Sequence, residues 1–201
     1  MNIYLSGLIG SGKTSIGKPL AEKFNVDFFD LDQTMDERLG YSFHELVAQE
    51  GWIPFRELEY SICKDFAKQT NSIVCLGGGT VRYEWNVDVL RPTGVILFLE
   101  VSIDELARRV RLADRPRVNP GTTLETDIQL MWEKWGDRYY DSADIIYRAE
   151  GKSEETEVDE LFNMIIYDPR FAGFQVNGSG ASATAAFGDR QGSPRDGERR
   201  G

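Results

Sequence analysis

The sequence predicts an α/β fold built on a parallel sheet. Short apolar segments typical of buried strands alternate along the chain with longer segments in which apolar residues recur at helical spacing. Strands that alternate with helices form parallel sheets covered on both faces. The predicted strands lie at 3–5, 26–31, 73–76, 95–99 and 145–147. The predicted helices cover 13–24, 33–39, 42–50, 54–69, 84–90, 102–112, 123–139 and 154–166.

The composition excludes several classes of protein. Hydrophobic residues make up 41% of the 201 residues, enough for one substantial core, and no apolar run reaches the roughly 18 to 20 residues that span a bilayer. A net charge of −10 would repel nucleic acid and anionic lipid, so an anionic substrate needs a local basic cluster. Two cysteines and one histidine disfavour a disulfide framework, a four-ligand zinc site and a Ser-His-Asp hydrolase.

We expect one folded domain over residues 1–170 and a disordered tail over residues 171–201. From Gly173 onward the chain consists mainly of Gly, Ser, Ala, Asp and Arg, and Phe187 is the one large apolar residue after Val176. Such a segment buries too little apolar surface to offset the entropy of ordering it. The N-terminus lacks the basic and apolar regions of a signal peptide, so we expect a cytoplasmic protein.

The strongest motif is the octapeptide G-L-I-G-S-G-K-T at residues 7–14, which follows the first strand and begins the first helix. It fits the pattern G-x-x-x-x-G-K-S/T of a phosphate-binding loop, in which glycines let the backbone fold around phosphate oxygens at a helix N-terminus. We expect Lys13 to reach the β and γ phosphates of a nucleotide and Thr14 to bind Mg²⁺. The predicted nucleotide-binding residues of this segment are Gly10, Ser11, Gly12, Lys13, Thr14 and Ser15.

Two carboxylates lie at the end of the second predicted strand. Asp30 and Asp32 alternate there, so both face one side of the sheet if the strand continues through residue 32. Ligands of open α/β sheets bind at this edge. We expect Asp30 to hold Mg²⁺ through water and Asp32 to take the proton of a substrate hydroxyl. The alternative for either aspartate is a helix N-cap or a solvated acid.

An arginine and a glutamate lie on one face of the helix predicted at 54–69. Arg56 and Glu59 are three residues apart, so Glu59 is placed to hold the guanidinium in one rotamer. A positioned guanidinium presents a planar fork that suits a carboxylate. The alternative is a surface ion pair worth under about 1 kcal/mol.

Three consecutive glycines directly follow the third predicted strand. Gly77, Gly78 and Gly79 cost backbone entropy and are useful where a ligand approaches the main chain closely. We expect them to contact substrate, with a plain turn as the alternative.

Five arginines fall within ten positions of an otherwise acidic chain, at Arg108, Arg109, Arg111, Arg115 and Arg117. The segment 112–122 contains Pro116, Pro120 and Gly121, which interrupt two predicted helices, so we expect a lid there. A lid arginine can exclude water and stabilise charge on a transferring phosphoryl group. Solvated charge on a helix face is the alternative for Arg108 and Arg109.

These motifs together resemble the shikimate kinase family over residues 2–166. The matching elements, in order, are G-L-I-G-S-G-K-T at 7–14, D-L-D at 30–32, F-R-x-x-E at 55–59, G-G-G at 77–79 and R-P at 115–116. The resemblance implies a three-layer P-loop kinase fold with a five-stranded parallel sheet and a lid. It implies Mg²⁺-dependent transfer of phosphate from ATP to the 3-hydroxyl of shikimate, in the biosynthesis of chorismate and the aromatic amino acids.

The resemblance also assigns roles to individual residues. It implies that Asp32, Arg56 and Gly78 bind shikimate, and that Thr14 is a Mg²⁺ ligand. It places Arg115 of the lid on ATP as a catalytic residue beside Lys13 and Asp32, and Arg111 beside adenine. A guanidinium for a carboxylate and an aspartate for hydroxyls independently suit a small polyhydroxylated acid.

The sequence departs from the family at Trp135, where an arginine usually provides a second clamp on the shikimate carboxylate. Lys134 and Arg138 are neighbouring helical residues that could supply the missing charge, and Trp135 could instead pack with Trp132 in the core. Loss of one clamp corresponds to about 1.5 to 3 kcal/mol, or roughly 10- to 150-fold in affinity.

The sequence therefore predicts shikimate kinase activity, carried out by a monomer on a small-molecule substrate, without nucleic-acid or membrane partners. The alternatives are a kinase of another small hydroxylated metabolite, which Trp135 favours, and a non-catalytic nucleotide-binding homologue, which Asp32 and Arg56 disfavour.

Overall fold

The computed structural model describes residues 1–110, 117–149 and 151–175. Its strands are β1 (Asn2–Ser6), β2 (Asp27–Asp30), β3 (Ser72–Cys75), β4 (Gly94–Glu100) and β5 (Ile145–Arg148). They form one sheet in the order β2-β3-β1-β4-β5, and every neighbouring pair is parallel. All residues of β1 and β3 are buried, as expected for central strands covered on both faces. The predicted α/β class is confirmed.

Helices alternate with these strands. They are α1 (Lys13–Phe24), α2 (Leu31–Leu39), α3 (Phe43–Glu50), α4 (Trp52–Phe66), α5 (Glu84–Leu90), α6 (Ile103–Val110), α7 (Leu124–Ser142) and α8 (Glu154–Tyr167). Five of them begin at a capping side chain, namely Asp30 for α2, Ser42 for α3, Ser102 for α6, Thr123 for α7 and Ser153 for α8. Each predicted helix has a counterpart, and the differences lie at the ends; α4, for example, ends at Phe66 rather than at residue 69.

The strand register brings three loops together at one edge of the sheet. Cys75, at the end of β3, pairs with Leu5 near the end of β1 on one side and with Asp30 at the end of β2 on the other. Because these strands are parallel, the segments that follow them leave the sheet side by side. This edge is where the predicted site residues 7–15, Asp32 and 77–79 converge.

The folded part extends further toward the C-terminus than predicted. Phe171 and Phe174 are buried, and the Phe174 ring packs edge-on against Phe24 of α1 with 5.4 Å between ring centroids. Asn71 bonds both the backbone N–H and the carbonyl of Gln175. The predicted boundary at residue 170 is therefore too early, because two aromatic rings just beyond it complete the core. Residues 176–201 of the predicted tail lie outside the described residues.

The two cysteines are free and buried in the core. Burial raises the pKa of the Cys63 and Cys75 thiols, which keeps them in the unreactive protonated form at neutral pH. Across the part of the chain that the structure describes, no helix combines the length and apolar character needed to cross a bilayer.

Candidate active site

The glycine-rich loop joins β1 to α1 in a conformation that depends on glycine. Gly10 and Gly12 have φ angles of 81° and 89°, in the left-handed region that side chains disfavour. A β-carbon at Gly10 would also lie 2.7 Å from a methyl group of Val110. The loop therefore needs glycine at both positions to turn into α1 while it packs against α6.

The start of α1 is shaped to receive an anion. Gly12 precedes the helix, no side chain caps the first turn, and no acidic residue lies in that turn. By contrast, α2 and α3 begin with the carboxylate of Asp30 and the hydroxyl of Ser42 as caps. The first N–H groups of α1 and the positive end of its dipole are thus left to interact with a phosphate.

The ammonium group of Lys13 lies within the loop. Its Nζ donates hydrogen bonds to the carbonyl oxygens of Gly7 at 2.8 Å and Leu8 at 3.1 Å, and lies 3.4 Å from the Ser11 hydroxyl. The loop backbone thus holds the cation beside the N-terminus of α1. This arrangement concentrates positive charge where the sequence predicts the phosphates.

Asp30 and Asp32 do not share a strand, so the condition under which both would face one side of the sheet is not met. The helix N-cap given as the alternative is correct for Asp30. The strand ends at Asp30, which caps α2 by accepting from the Gln33 N–H at 3.2 Å, and Asp32 lies in the first helical turn. Capping stabilises the turn at Asp30. The other Asp30 oxygen accepts from the Thr14 hydroxyl at 2.8 Å, so the predicted pair of oxygen ligands is in contact.

A cleft of about 830 Å³ opens above the loop, and we refer to it as the nucleotide cleft. Its walls include Gly10, Gly12, Lys13, Thr14, Ser15, Asp30, Asp32, Gly78, Arg108, Arg109, Lys152 and Glu157. Glu105 binds both Arg108 and Arg109, and the two guanidinium groups hold the pKa of its carboxyl at about 2. Arg109 also donates to the carbonyl of Gly10, which ties α6 to the loop. Arg108 and Arg109 are thus paired with an acid and also line the cleft.

A smaller cavity of about 80 Å³ adjoins the cleft. Its lining includes Asp32, Trp52, Arg56, Glu59, Gly77, Gly78, Gly79, Arg82, Val118, Asp127 and Met131. We refer to it as the acceptor pocket. Asp32 and Gly78 line both cavities and so form part of the wall between them.

Arg56 is fixed in the acceptor pocket by Glu59, as the spacing predicts. Glu59 is fully buried and accepts from Arg56 Nη1 at 2.7 Å, from the Thr80 hydroxyl at 2.8 Å and from the Asn86 amide at 3.2 Å. The guanidinium also lies 4.7 Å from the centroid of the Tyr83 ring. Its Nε is buried without a hydrogen-bond partner, so Arg56 retains donor capacity. The alternative of a solvated surface pair is wrong, since the Arg56 side chain is only 12% exposed.

The glycine segment after β3 is held in place from α7. The Tyr139 hydroxyl donates to the carbonyl of Gly78 at 2.6 Å, and burial raises the pKa of Tyr139 to about 12. This hydroxyl therefore stays protonated and keeps its hydrogen bond across the range in which the protein would be assayed.

Asp127 is a second anchor that the sequence did not reveal. Its buried carboxylate accepts from the backbone N–H groups of Val118 and Asn119 and from the Asn119 amide. The three bonds fasten the segment before α7, including Val118 of the acceptor pocket. Asp127 gave no signal in the sequence because two of its three bonds are to backbone N–H groups of a turn and the third is to a side chain eight residues away.

Other predicted positions have different outcomes. Arg111 and Arg115 lie outside the described residues, as does the first part of the predicted lid. Residues 118–122 form turns and bends. Trp135 is partly buried, and its ring contacts Arg82 and Lys134. Lys134 and Arg138 are exposed and absent from the lining of the acceptor pocket.

Comparisons with known proteins agree with this geometry. The shikimate kinase family model matches residues 9–166. The shikimate kinase of Chlorobium phaeovibrioides is 32% identical over 171 residues, covering 81% of this chain and 86% of that protein. The crystal structure of shikimate kinase from Bacteroides thetaiotaomicron has a TM-score of 0.74 at 32% identity, covering 83% of this chain and 98% of that one.

A third relative shares the fold at lower identity. The shikimate kinase of Acinetobacter baumannii, in complex with shikimate, has a TM-score of 0.76 at 22% identity over 82% of this chain and 92% of that one. Since the family model covers most of the chain from the phosphate-binding loop to α8, the protein belongs to the shikimate kinase family, whose members are ATP-dependent kinases.

Proposed function

We propose that this chain transfers the γ-phosphoryl group of ATP to the 3-hydroxyl of shikimate. The observation that carries the proposal is Asp32, whose side chain lines both the nucleotide cleft and the acceptor pocket. A carboxylate at this boundary is placed to meet both the attacking hydroxyl and the phosphoryl group. Family membership supports the choice of ATP and shikimate as the two substrates.

The loop and α1 bind the triphosphate in this proposal. Backbone N–H groups from Gly10 to Ser15 surround the phosphates, and Lys13 exchanges its carbonyl partners for β- and γ-phosphate oxygens. Charge on the transferring phosphoryl group is thereby neutralised by groups already in position. The proposed adenine and lid contacts of Arg111 and Arg115 lie outside the described residues.

Thr14 and Asp30 fit a Mg²⁺ ion that accompanies ATP. They present hard oxygen donors that already contact each other at 2.8 Å, one neutral hydroxyl and one carboxylate. No group of three metal-ligating side chains occurs within the described residues, which agrees with an ion held by one or two protein oxygens, substrate phosphates and water. Bound there, Mg²⁺ would neutralise charge on the phosphates.

The acceptor pocket supplies recognition of the acid and activation of its hydroxyl. Arg56 binds the carboxylate with the donors that Glu59 leaves available, and Gly77, Gly78 and Gly79 let the ring approach the backbone. Asp32 orients the hydroxyl and takes its proton as the new P–O bond forms. We further propose, as the sequence predicts, that the enzyme acts as a monomer in the cytoplasm.

An acceptor panel tests this proposal. ADP release is measured with shikimate, gluconate and nucleoside monophosphates, each against an acceptor-free control for ATP hydrolysis. We expect turnover with shikimate to exceed the others, with phosphate on the 3-hydroxyl of the product. Turnover only with another hydroxy acid would support the alternative that Trp135 favours; ATP binding without turnover on any acceptor would indicate a non-catalytic homologue.

A further inference from the structure

A second guanidinium lies in the acceptor pocket. Arg82 ends the 3₁₀ turn Thr80–Arg82, directly after the three glycines, and lines the pocket together with Arg56. The charges of both arginines act on Tyr139, where they oppose the burial that raises its pKa. The pocket therefore presents two cations, from two separate elements, to the molecule it binds.

The two cations differ in how their charge is balanced. Arg56 has the Glu59 carboxylate at 2.7 Å. Arg82 donates to neutral acceptors, from Nε to the carbonyl of Gly79 at 3.3 Å and from Nη1 to the sulfur of Met131 at 3.4 Å. Among the described residues, no carboxylate oxygen lies within 4.0 Å of the Arg82 guanidinium. A half-buried cation without a counter-ion favours the binding of an anion.

Two neighbours hold the Arg82 guanidinium where it is. A β-carbon at Gly79 would overlap Nη2 of Arg82, so the guanidinium can lie this close to the chain only because residue 79 is glycine. The centroid of the Trp135 ring lies 4.8 Å from Cζ of Arg82, within the range of a cation–π interaction. The third glycine and the tryptophan thus both position the same side chain.

We propose that Arg82 binds the carboxylate of the acceptor alongside Arg56, and that Trp135 is a positioning residue that holds the Arg82 guanidinium over Gly79. The assignment rests on the proposed function, because it requires an acceptor that carries a carboxylate. Two guanidinium forks can together satisfy the lone pairs of one carboxylate. Where the family resemblance predicts an arginine on α7, this chain supplies the cation from the loop after β3 and uses α7 for the ring that orients it.

The first test is the kinetics of Arg82→Ala. We expect KM for shikimate to rise roughly 10- to 150-fold, while KM for ATP and kcat stay within about twofold, because only a contact to the acceptor is lost. Arg82→Lys keeps the charge without the planar fork, so its KM for shikimate should lie between those of the wild-type chain and Arg82→Ala. Arg38→Ala, which removes an exposed arginine paired with Asp65, serves as the control and should leave all three constants unchanged.

The second test separates carboxylate binding from a structural role. The methyl ester of shikimate lacks the anionic group, so its penalty in KM relative to shikimate should shrink in Arg82→Ala if Arg82 contacts that group. The double variant R82A/W135R removes the guanidinium at residue 82 and introduces one at residue 135 of α7, the residue whose ring contacts Arg82 in the wild-type chain. This variant should regain part of the lost affinity for shikimate. Trp135→Leu should raise KM for shikimate severalfold without lowering kcat, and Trp135→Phe, which keeps a ring, should do so less.

The outcomes distinguish this inference from the proposed function. If the wild-type chain phosphorylates shikimate but Arg82→Ala and Arg82→Lys leave its KM unchanged, the Arg82 assignment is overturned and the function stands. An unchanged ester penalty in folded Arg82→Ala overturns it as well. If the wild-type chain phosphorylates no carboxylate-bearing acceptor, both proposals fail together. Thermal melting of each variant identifies any that do not fold. If Arg82→Ala does not fold, the affinity of Arg82→Lys for shikimate decides: weaker binding than in the wild-type chain supports the Arg82 assignment, and equal binding overturns it.

Discussion

The nucleotide cleft and the acceptor pocket are built in different ways. The phosphate-binding part of the cleft comes from one continuous segment, residues 7–15, whose glycines and helix start act on any phosphate. The acceptor pocket takes its charged groups from α2, α4, the loop after β3 and α7. A continuous segment serves a part common to all nucleotides, whereas a pocket assembled from distant elements can change its specificity one side chain at a time. Substitutions on the two sides should therefore have separable effects.

Lys13→Ala should give the largest effect, because it removes the cation at the phosphates. We expect kcat to fall at least about 10³-fold, the scale of a positive charge on a transferring phosphoryl group. The measurement is steady-state ADP release at saturating shikimate, with thermal melting to show that the chain folds. Lys18→Ala, on the exposed face of the same helix, is the matched control. A Lys13→Ala variant with wild-type kcat would show that the loop does not hold the reacting phosphate.

Asp32→Asn acts at the wall shared by the two cavities. We expect kcat to fall about 100- to 1000-fold, because the amide cannot take the proton of the hydroxyl, with little change in either KM. Single-turnover measurements would check that chemistry is the slowed step. Glu37→Gln, on the exposed face of α2, should remain fully active. A change confined to KM for shikimate would make Asp32 a binding residue only.

Arg56→Ala should affect the acceptor side alone. We expect KM for shikimate to rise roughly 10- to 150-fold and KM for ATP to stay nearly constant, since Arg56 lines the acceptor pocket and not the nucleotide cleft. Equal increases in KM for shikimate and KM for ATP would show that substitutions in the nucleotide cleft and the acceptor pocket do not have separable effects. Urea unfolding should accompany the kinetics, because the buried Glu59 loses its ionic partner in this variant.

Tyr139→Phe removes the hydrogen bond to Gly78, which belongs to both cavities. We expect about 1 kcal/mol less stability in urea unfolding, the typical value of one buried hydrogen bond, and a small rise in both KM values. The control is Tyr41→Phe, at an exposed position. A rise in only one KM would show that Gly78 contributes to the binding of that substrate alone.

Glu105→Gln should give the smallest effect and confine it to the nucleotide side. We expect KM for ATP to rise two- to threefold, because Arg108 and Arg109 lose their anchor. The Glu105 pKa is lowered from 4.5 to about 2, so its stabilising contribution is complete above pH 4.5 and disappears as the pH falls toward 2. Melting temperature should therefore depend less steeply on pH across that window in Glu105→Gln. An unchanged slope would show that this ion pair does not contribute to stability.

Sequence alone predicted the parts of the site that depend on local order. The glycine loop, Lys13 and Thr14 form a contiguous pattern whose geometry follows from one turn and one helix start. The Arg56–Glu59 pair was predictable because helical spacing puts both residues on one face. Asp30 and Asp32 both line the cleft, as predicted, but they do not share a strand: β2 ends at Asp30, which caps α2, and the first helical turn brings Asp32 to the cleft.

The remaining features depend on contacts between elements far apart in the chain. Tyr139 and Gly78 are 61 residues apart in sequence, and no local pattern links a tyrosine on α7 to a carbonyl after β3. Asp127 accepts mainly from backbone N–H groups, which all residues except proline carry. Nothing in the sequence distinguishes Arg82 from other arginines, because the contact with Trp135 that positions its guanidinium over Gly79 exists only in the folded chain. Such residues become visible only when the packing of the elements is known.

Asp32 and Gly78 form part of the wall between the two cavities, so a ligand in either cavity lies against residues that also line the other. If one ligand shifts this wall and thereby changes the affinity for the other by some factor, linkage requires the reverse effect to have the same size. Titrating ATP analogues with and without a saturating hydroxy acid, and then in the opposite order, would therefore yield one coupling constant, whichever substrate enters first.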